Sequence, residues 1–161
     1  MIKYVLVIFL FITSCNVTKT IPEVFKAKVV KVRDGDTVEV LYRKQTVVIR
    51  LEHVDCPERK QPYNKRAKKF TADFCFDKRV KIVSKGKFDR YKRLIAEVVV
   101  NKEILNQELV KNGYALHYKR YSKDKEYALL EDEARKGKTG MWSQEKLIEP
   151  WLFRKNRKKK K

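Results

Sequence analysis

From Lys28 to Tyr42, and again from Thr46 to Leu51, polar residues alternate with β-branched ones, and the two runs are separated only by R-K-Q. A period of two sends neighbouring side chains to opposite faces, so these runs are adjacent strands with one buried face. Within the first run lies V-R-D-G-D-T-V-E-V, residues 32–40. D-G between alternating apolar residues signals a hairpin, because Gly and Asp tolerate positive φ. That reading makes Asp34 and Asp36 turn formers. It leaves unexplained why a chain with 40 Lys and Arg against 20 Asp and Glu sets two carboxylates one residue apart.

The remaining segments complete a small fold. After the Pro-containing loop V-D-C-P-E, residues Ala67, Phe70, Phe74 and Cys75 recur at helical spacing and predict a helix from about Tyr63 to Phe76. V-K-I-V and L-I-A-E-V-V-V read as two more strands, and I-L-N-Q-E-L-V-K as a short helix ended at Gly113. A last helix covers about Lys123 to Lys136. Counting the first run as two strands if it breaks at D-G-D, the pattern is α+β, mainly β: a five-stranded OB-type barrel with about three helices, over residues 26–145.

The ends lie outside that core. Residues 1–14 give one positive charge, an apolar run and small residues before Cys15, an export signal too short to span a bilayer. I-T-S-C resembles the lipobox of bacterial lipoproteins, which implies a lipid on Cys15 and a short tether over residues 15–25. The expected location is the periplasmic face or cell surface of a membrane. Residues 146–161 form a basic tail whose like-charge block from Arg154 is expected to be solvated and mobile. Without Lys3 and the seven basic residues of that block, 32 basic face 20 acidic side chains, a formal +12 that attracts polyanions. One acyl chain plus a polybasic tail would also suit an anionic lipid surface, but that explains only the tail.

Against this positive field the carboxylates stand out. Asp36 opens one strand, and Asp55 and Glu58 lie in the loop after another. In a closed barrel those strand ends meet, and three converging carboxylates suit a hard cation bound by oxygen, Ca²⁺ rather than Mg²⁺ outside the cell. No Cys/His spacing for zinc is present. Arg50 and Arg93 are placed to offer planar forks to phosphoryl oxygens beside that cation.

D-G-D-T, then I-R-L-x-x-V-D-x-P-E, then D-R-Y-x-R, in this order and at these separations, resemble the staphylococcal nuclease family over about Lys26 to Ser143. The resemblance implies that Asp36, Asp55 and the backbone carbonyl of Cys56 bind Ca²⁺, and that Glu58 orients or deprotonates the attacking water. It further implies that Arg50 and Arg93 grip the scissile phosphate, while Arg90 and Tyr91 hold a neighbouring one. The implied reaction is endo- and exonucleolytic cleavage of DNA and RNA to 3′-phosphate products, by a monomer. On this reading Asp34 supports the site and Asp36 is the ligand.

Some residues depart from the family pattern. Cys56 stands where Thr is usual, Asn64 replaces a Gly whose left-handed conformation Asn can hold, and Lys92 replaces a Gly between Tyr91 and Arg93. Tyr118 and Tyr121 are candidates for stacking bases, with Tyr114 beside them, though packing against the last helix is an equal alternative for each. His53 and Trp142 read as structural. Cys56 and Cys75 form an even pair in an oxidising setting and could be joined, if their α-carbons come within about 7 Å. Two rivals to the enzyme remain: an inactive nucleic-acid-binding module of the same fold, and a membrane-surface lipoprotein. The intact set Asp36, Arg50, Asp55, Glu58 and Arg93 favours the enzyme.

Overall fold

The structure is a computed structural model and describes residues 21–159, so the signal segment, Cys15 and most of the tether lie outside it. Eight strands and four α-helices follow in the order β1 (Val24–Asp34), β2 (Thr37–Tyr42), β3 (Gln45–Leu51), β4 (Val54–Asp55), α1 (Asn64–Cys75), β5 (Arg79–Phe88), β6 (Leu94–Val100), β7 (Glu103–Ile104), α2 (Leu105–Lys111), β8 (Leu116–His117), α3 (Lys125–Lys136) and α4 (Pro150–Lys159). A single 3₁₀ turn, Gly140–Ser143, precedes α4. None of the described helices is long and apolar enough to cross a membrane.

The sheet runs β3-β2-β1-β5-β6, and a parallel pairing of β3 with β6, Ile49 opposite Leu94 and Leu51 opposite Ala96, closes it. The five long strands are thus the OB-type barrel that the alternation predicts. Val29, Val38, Val40, Ile49, Ile82 and Val98 are all shut off from solvent inside it. The first strand begins at Val24, within the expected tether, because Phe25 is buried and packs on Tyr42 at 4.5 Å between ring centroids.

Both hairpins differ from expectation in a telling way. Arg43 and Lys44, with no Gly or Asn between them, take φ of 46° and 64° in the two-residue loop joining β2 and β3. At the D-G-D turn neither Gly35 nor Asp36 has positive φ. Gly35 is needed there for space: a Cβ on it would stand 2.7 Å from Cys56 Sγ and 2.9 Å from Ala67 Cβ. Helix α1 closes over the turn, with Thr71 donating its hydroxyl to the Gly35 carbonyl at 2.7 Å. Its inward face is Ala67, Thr71 and Cys75, with Phe70 and Phe74 at the margin.

Two buried polar residues lock the helices down. Asn106 of α2 accepts from the Val98 amide at 3.1 Å and donates to the carbonyls of Glu52 and Ala96, which satisfies its amide fully inside the core. Asp124 caps α3, accepting from the amides of Glu126 and Tyr127. Asn64 does not take the left-handed conformation expected of it; Tyr63 does, at φ 66°, and Asn64 begins α1 while donating to the Pro57 carbonyl at 2.8 Å. Cys56 and Cys75 are both buried and both free, so no disulfide pins the carboxylate loop.

The basic tail is the largest departure. Pro150–Lys159 is a helix, not a mobile coil. Pro150 starts it with the fixed φ that suits a first turn, and Arg157, Lys158 and Lys159 sit at the carbonyl end, where positive charge is favoured. Trp151 lies parallel to Tyr118, 6° between planes and 5.5 Å between centroids, which ties the helix to the barrel.

Candidate active site

Three pieces of backbone bring the acidic residues to one mouth of the barrel. The β1–β2 turn carries Asp34 and Asp36. The two-stranded sheet β4–β8, with Asp55 opposite Leu116, fixes Asp55. The loop after β4 carries Cys56 to Glu58 and is held by a reciprocal pair, the Glu58 amide donating to Gln61 Oε1 at 2.7 Å and the Gln61 amide to the Glu58 carbonyl at 2.8 Å. Turn and loop are joined directly: the Cys56 amide donates to Asp36 Oδ2 at 2.8 Å, 20 residues away. A cleft of about 390 Å³ is lined by Asp34, Asp36, Cys56 and Glu58 together with Arg33, Arg59 and Lys68.

Asp36 and Asp55 are 8% and 1% exposed, too little for water to solvate their charge. Burial, with the nearby Asp36 carboxylate adding to it, pushes the Asp55 carboxyl up to about 6, against the pull of Arg154 and Arg50. Burial and then the Asp36 charge push Asp34 up to about 7. Burial holds the Cys56 thiol neutral, so the ligand atoms this cluster offers are oxygens, the chemistry of a hard cation site. Among the described residues no three Asp, Glu, His or Cys side chains form a metal cage on their own. A cation here would rest on two carboxylates, a backbone carbonyl and water.

Arg50 is more deeply committed than its sequence position suggests. One terminal nitrogen donates to the carbonyls of Leu51 and Val54 at 2.7 and 2.8 Å. The other bonds Asp55 Oδ1 at 3.1 Å and lies 3.2 Å from Asp36 Oδ2. Arg93 is aimed by Asp89, which receives its Nε at 2.7 Å, and its Nη1 donates to Thr37 Oγ1 at 3.2 Å. Thr37 in turn donates to Asp36 Oδ1 at 3.2 Å, so Arg93 reaches the carboxylates through a hydroxyl. Lys92, at the position of the family's Gly, takes φ 60°, as a glycine there would do without strain. Tyr91 is 65% exposed, with Arg90 over its ring at 4.7 Å and bonded to its hydroxyl at 2.7 Å.

The aromatic candidates divide. Tyr121 is 73% exposed and free to meet a ligand on one side, its ring standing edge-on to Tyr118. Tyr118 is covered by Trp151. Tyr114 packs on Phe70 at 5.0 Å, and Trp142 sits under the Arg135 guanidinium, so both are structural. His53 is structural as well, packed on Tyr127 with the rings tilted by 34° and bonded through Nδ1 to Ser122 at 2.8 Å.

Sequence reasoning missed Arg154 of α4. Its guanidinium lies on the acidic pair, with Nη2 2.8 Å from Asp55 Oδ2 and Nη1 2.7 Å from Glu58 Oε1 and 3.1 Å from Asp55 Oδ1. In sequence it is one cation among seven near the terminus, and nothing in the spacing separates it from the rest.

The family model described as staphylococcal nuclease homologue matches residues 48–144, which include the end of β3 with Arg50, the carboxylate loop and Arg93. This chain belongs to the staphylococcal nuclease family. An uncharacterized endonuclease of Haemophilus influenzae is 35% identical over 154 residues, covering 95% of this chain and 83% of the relative. A micrococcal nuclease of Shigella flexneri is 34% identical over 141 residues, covering 81% of this chain and 80% of its own length. The staphylococcal-like nuclease CAN1 of Arabidopsis thaliana is 35% identical over 120 residues, 74% of this chain but 36% of that longer protein. The protein is thus a nuclease, and nucleic acid is its substrate.

Proposed function

We propose that the protein is an exported, Ca²⁺-dependent nuclease that cuts both DNA and RNA, internally and from ends, and leaves 3′-phosphates. The observation that carries this reading is the joining of Asp36 and Asp55 by Arg50, with Glu58 at the same cleft. Asp36, Asp55 and the Cys56 carbonyl would hold the cation, which when bound supplies positive charge to the phosphoryl oxygens. Glu58, partly exposed in the cleft, orients a water and accepts its proton. Arg50 and Arg93 neutralise the extra charge of the pentavalent transition state, with Asp89 fixing the direction of Arg93. Arg90 and Tyr91, exposed beside Arg93, hold a flanking phosphate, and Tyr121 offers a face to a base.

Lipid on Cys15 would anchor the enzyme outside the cytoplasm as a monomer, with the barrel carried on a tether that ends before Val24. The rival, an inactive binding module, lacks support in the residues, since all five of Asp36, Arg50, Asp55, Glu58 and Arg93 are present. Digestion of plasmid DNA and of structured RNA, with Ca²⁺, with Mg²⁺ and with chelator, tests the reading together with end-group analysis of the products. Cleavage of both substrates to 3′-phosphates in Ca²⁺ alone is expected; undiminished cleavage in chelator would overturn the cation's part.

A further inference from the structure

We propose that Arg154 is a latch on the active site: its guanidinium stands in for the cation at Asp55, and loading of a divalent cation releases it together with helix α4. The proposal rests on the reading of Asp36 and Asp55 as cation ligands.

The geometry makes the two occupants exclusive. Asp55 Oδ1 receives both Arg50 at 3.1 Å and Arg154 at 3.1 Å, and Oδ2 receives Arg154 at 2.8 Å. A bidentate fork therefore covers both oxygens of the carboxylate that a cation would have to engage. Glu58 is engaged by the same guanidinium at 2.7 Å, so the water-orienting carboxylate is occupied as well. A divalent ion placed on Asp55 beside this positive charge would be repelled at contact distance, and the fork would have to leave both oxygens before the ion could engage them.

The helix is also built to let go. Of its ten residues only Pro150 is buried, and Leu152 is 41% exposed, so α4 contributes little to the barrel core. Besides the buried Pro150, its described attachments are the Arg154 fork, the Trp151–Tyr118 stack and, just before it, Gln61 Nε2 donating to the Ile148 carbonyl at 2.9 Å. Arg154 also donates to the Tyr118 hydroxyl at 3.3 Å. One release thus uncovers three things at once: Asp55, Glu58 and the stacking face of Tyr118. The docked state accounts for Tyr118 being covered although it borders the site.

The test is calorimetric Ca²⁺ titration of the full-length chain and of Arg154→Ala and Asp36→Ala, with tryptophan emission followed in parallel. Removing the competing fork should tighten Ca²⁺ binding by about tenfold or more, as expected for a charge-assisted bidentate pair that is partly open to solvent. In the unmodified chain, Ca²⁺ should change the emission of Trp151 as it leaves Tyr118, and Trp151→Phe should remove that change. This second readout needs no variant at Arg154 to fold. Equal Ca²⁺ affinity with and without Arg154, or no Trp151 response at saturating Ca²⁺, would overturn the latch while leaving the cation site standing. No Ca²⁺ binding by any of the three proteins would overturn the cation site and the latch with it.

Discussion

The guanidinium of Arg50 bonds Asp55 Oδ1 at 3.1 Å with a nitrogen that also lies 3.2 Å from Asp36 Oδ2. Its other terminal nitrogen holds the carbonyls of Leu51 and Val54. A planar fork with several fixed donors can serve all four atoms, and an ammonium cannot. Arg50→Lys is therefore expected to cost on the order of 2 kcal/mol in stability, and to lower kcat at least ~10²-fold in the protein that remains folded. Denaturant unfolding and steady-state kinetics on the same preparation separate the two losses. A folded variant with near-normal kcat would remove Arg50 from transition-state stabilisation.

Glu58 gives a cleaner separation, because its side chain lies in the open cleft and its only described partner is Arg154. Glu58→Gln should lower kcat by ~10²- to 10⁴-fold, the usual contribution of a positioned base, with little change in KM. A rise in KM at constant kcat would instead assign Glu58 to substrate binding.

Gly35 is held in place by contact. The methyl of Gly35→Ala would press on Cys56 Sγ and Ala67 Cβ at 2.7 and 2.9 Å, so the turn bearing Asp36 has to shift. A loss of about 1–3 kcal/mol is expected from such overpacking. The unfolding midpoint in chelator measures it, and an unchanged midpoint would mean that the turn yields freely.

The raised carboxyls predict a pH profile for the chelated protein. Asp34 sits at about 7 in the folded state and near its ordinary value when unfolded. Between roughly pH 4 and 7 the unfolded chain loses this proton while the native state keeps it, so the stabilisation present at low pH fades as pH rises through 7. Asp55, at about 6, acts in the same sense. Asp34→Asn should flatten the decline between about pH 4 and 7, by on the order of 2 kcal/mol. An equal decline in the variant would place the titration elsewhere.

The barrel was open to reading because β1, β2, β3 and β6 each bury one face, which writes a period of two into the sequence. The helices α1, α2 and α3 likewise follow from apolar spacing and their stops. The two-residue strands β4 and β8 carry no period at all, yet they fix Asp55. Tertiary packing also overrides local preference, as where Gly35 serves space and Arg43, Lys44 and Tyr63 take left-handed conformations that composition would give to Gly or Asn. The α4 helix was illegible for a third reason. Seven like charges predict repulsion, and only the distant carboxylates and Tyr118 supply the partners that order Trp151 and Arg154. Asp89 and Thr37 stand inside the D-R-Y-x-R and D-G-D-T motifs, yet their part, contact with the Arg93 guanidinium, is visible only in the fold, which brings Thr37 and Arg93 together across 56 residues.

If Asp36 and its neighbours form a working cation site, cleavage of one defined oligonucleotide by wild type and Asp36→Asn across a Ca²⁺ series will show it. Asparagine keeps the shape and removes the charge, so the wild-type rate should rise with Ca²⁺ to saturation while the variant stays at least ~10²-fold slower at every concentration. Equal saturating rates for the two proteins, or a wild-type rate indifferent to Ca²⁺, would mean that Asp36 holds no catalytic cation.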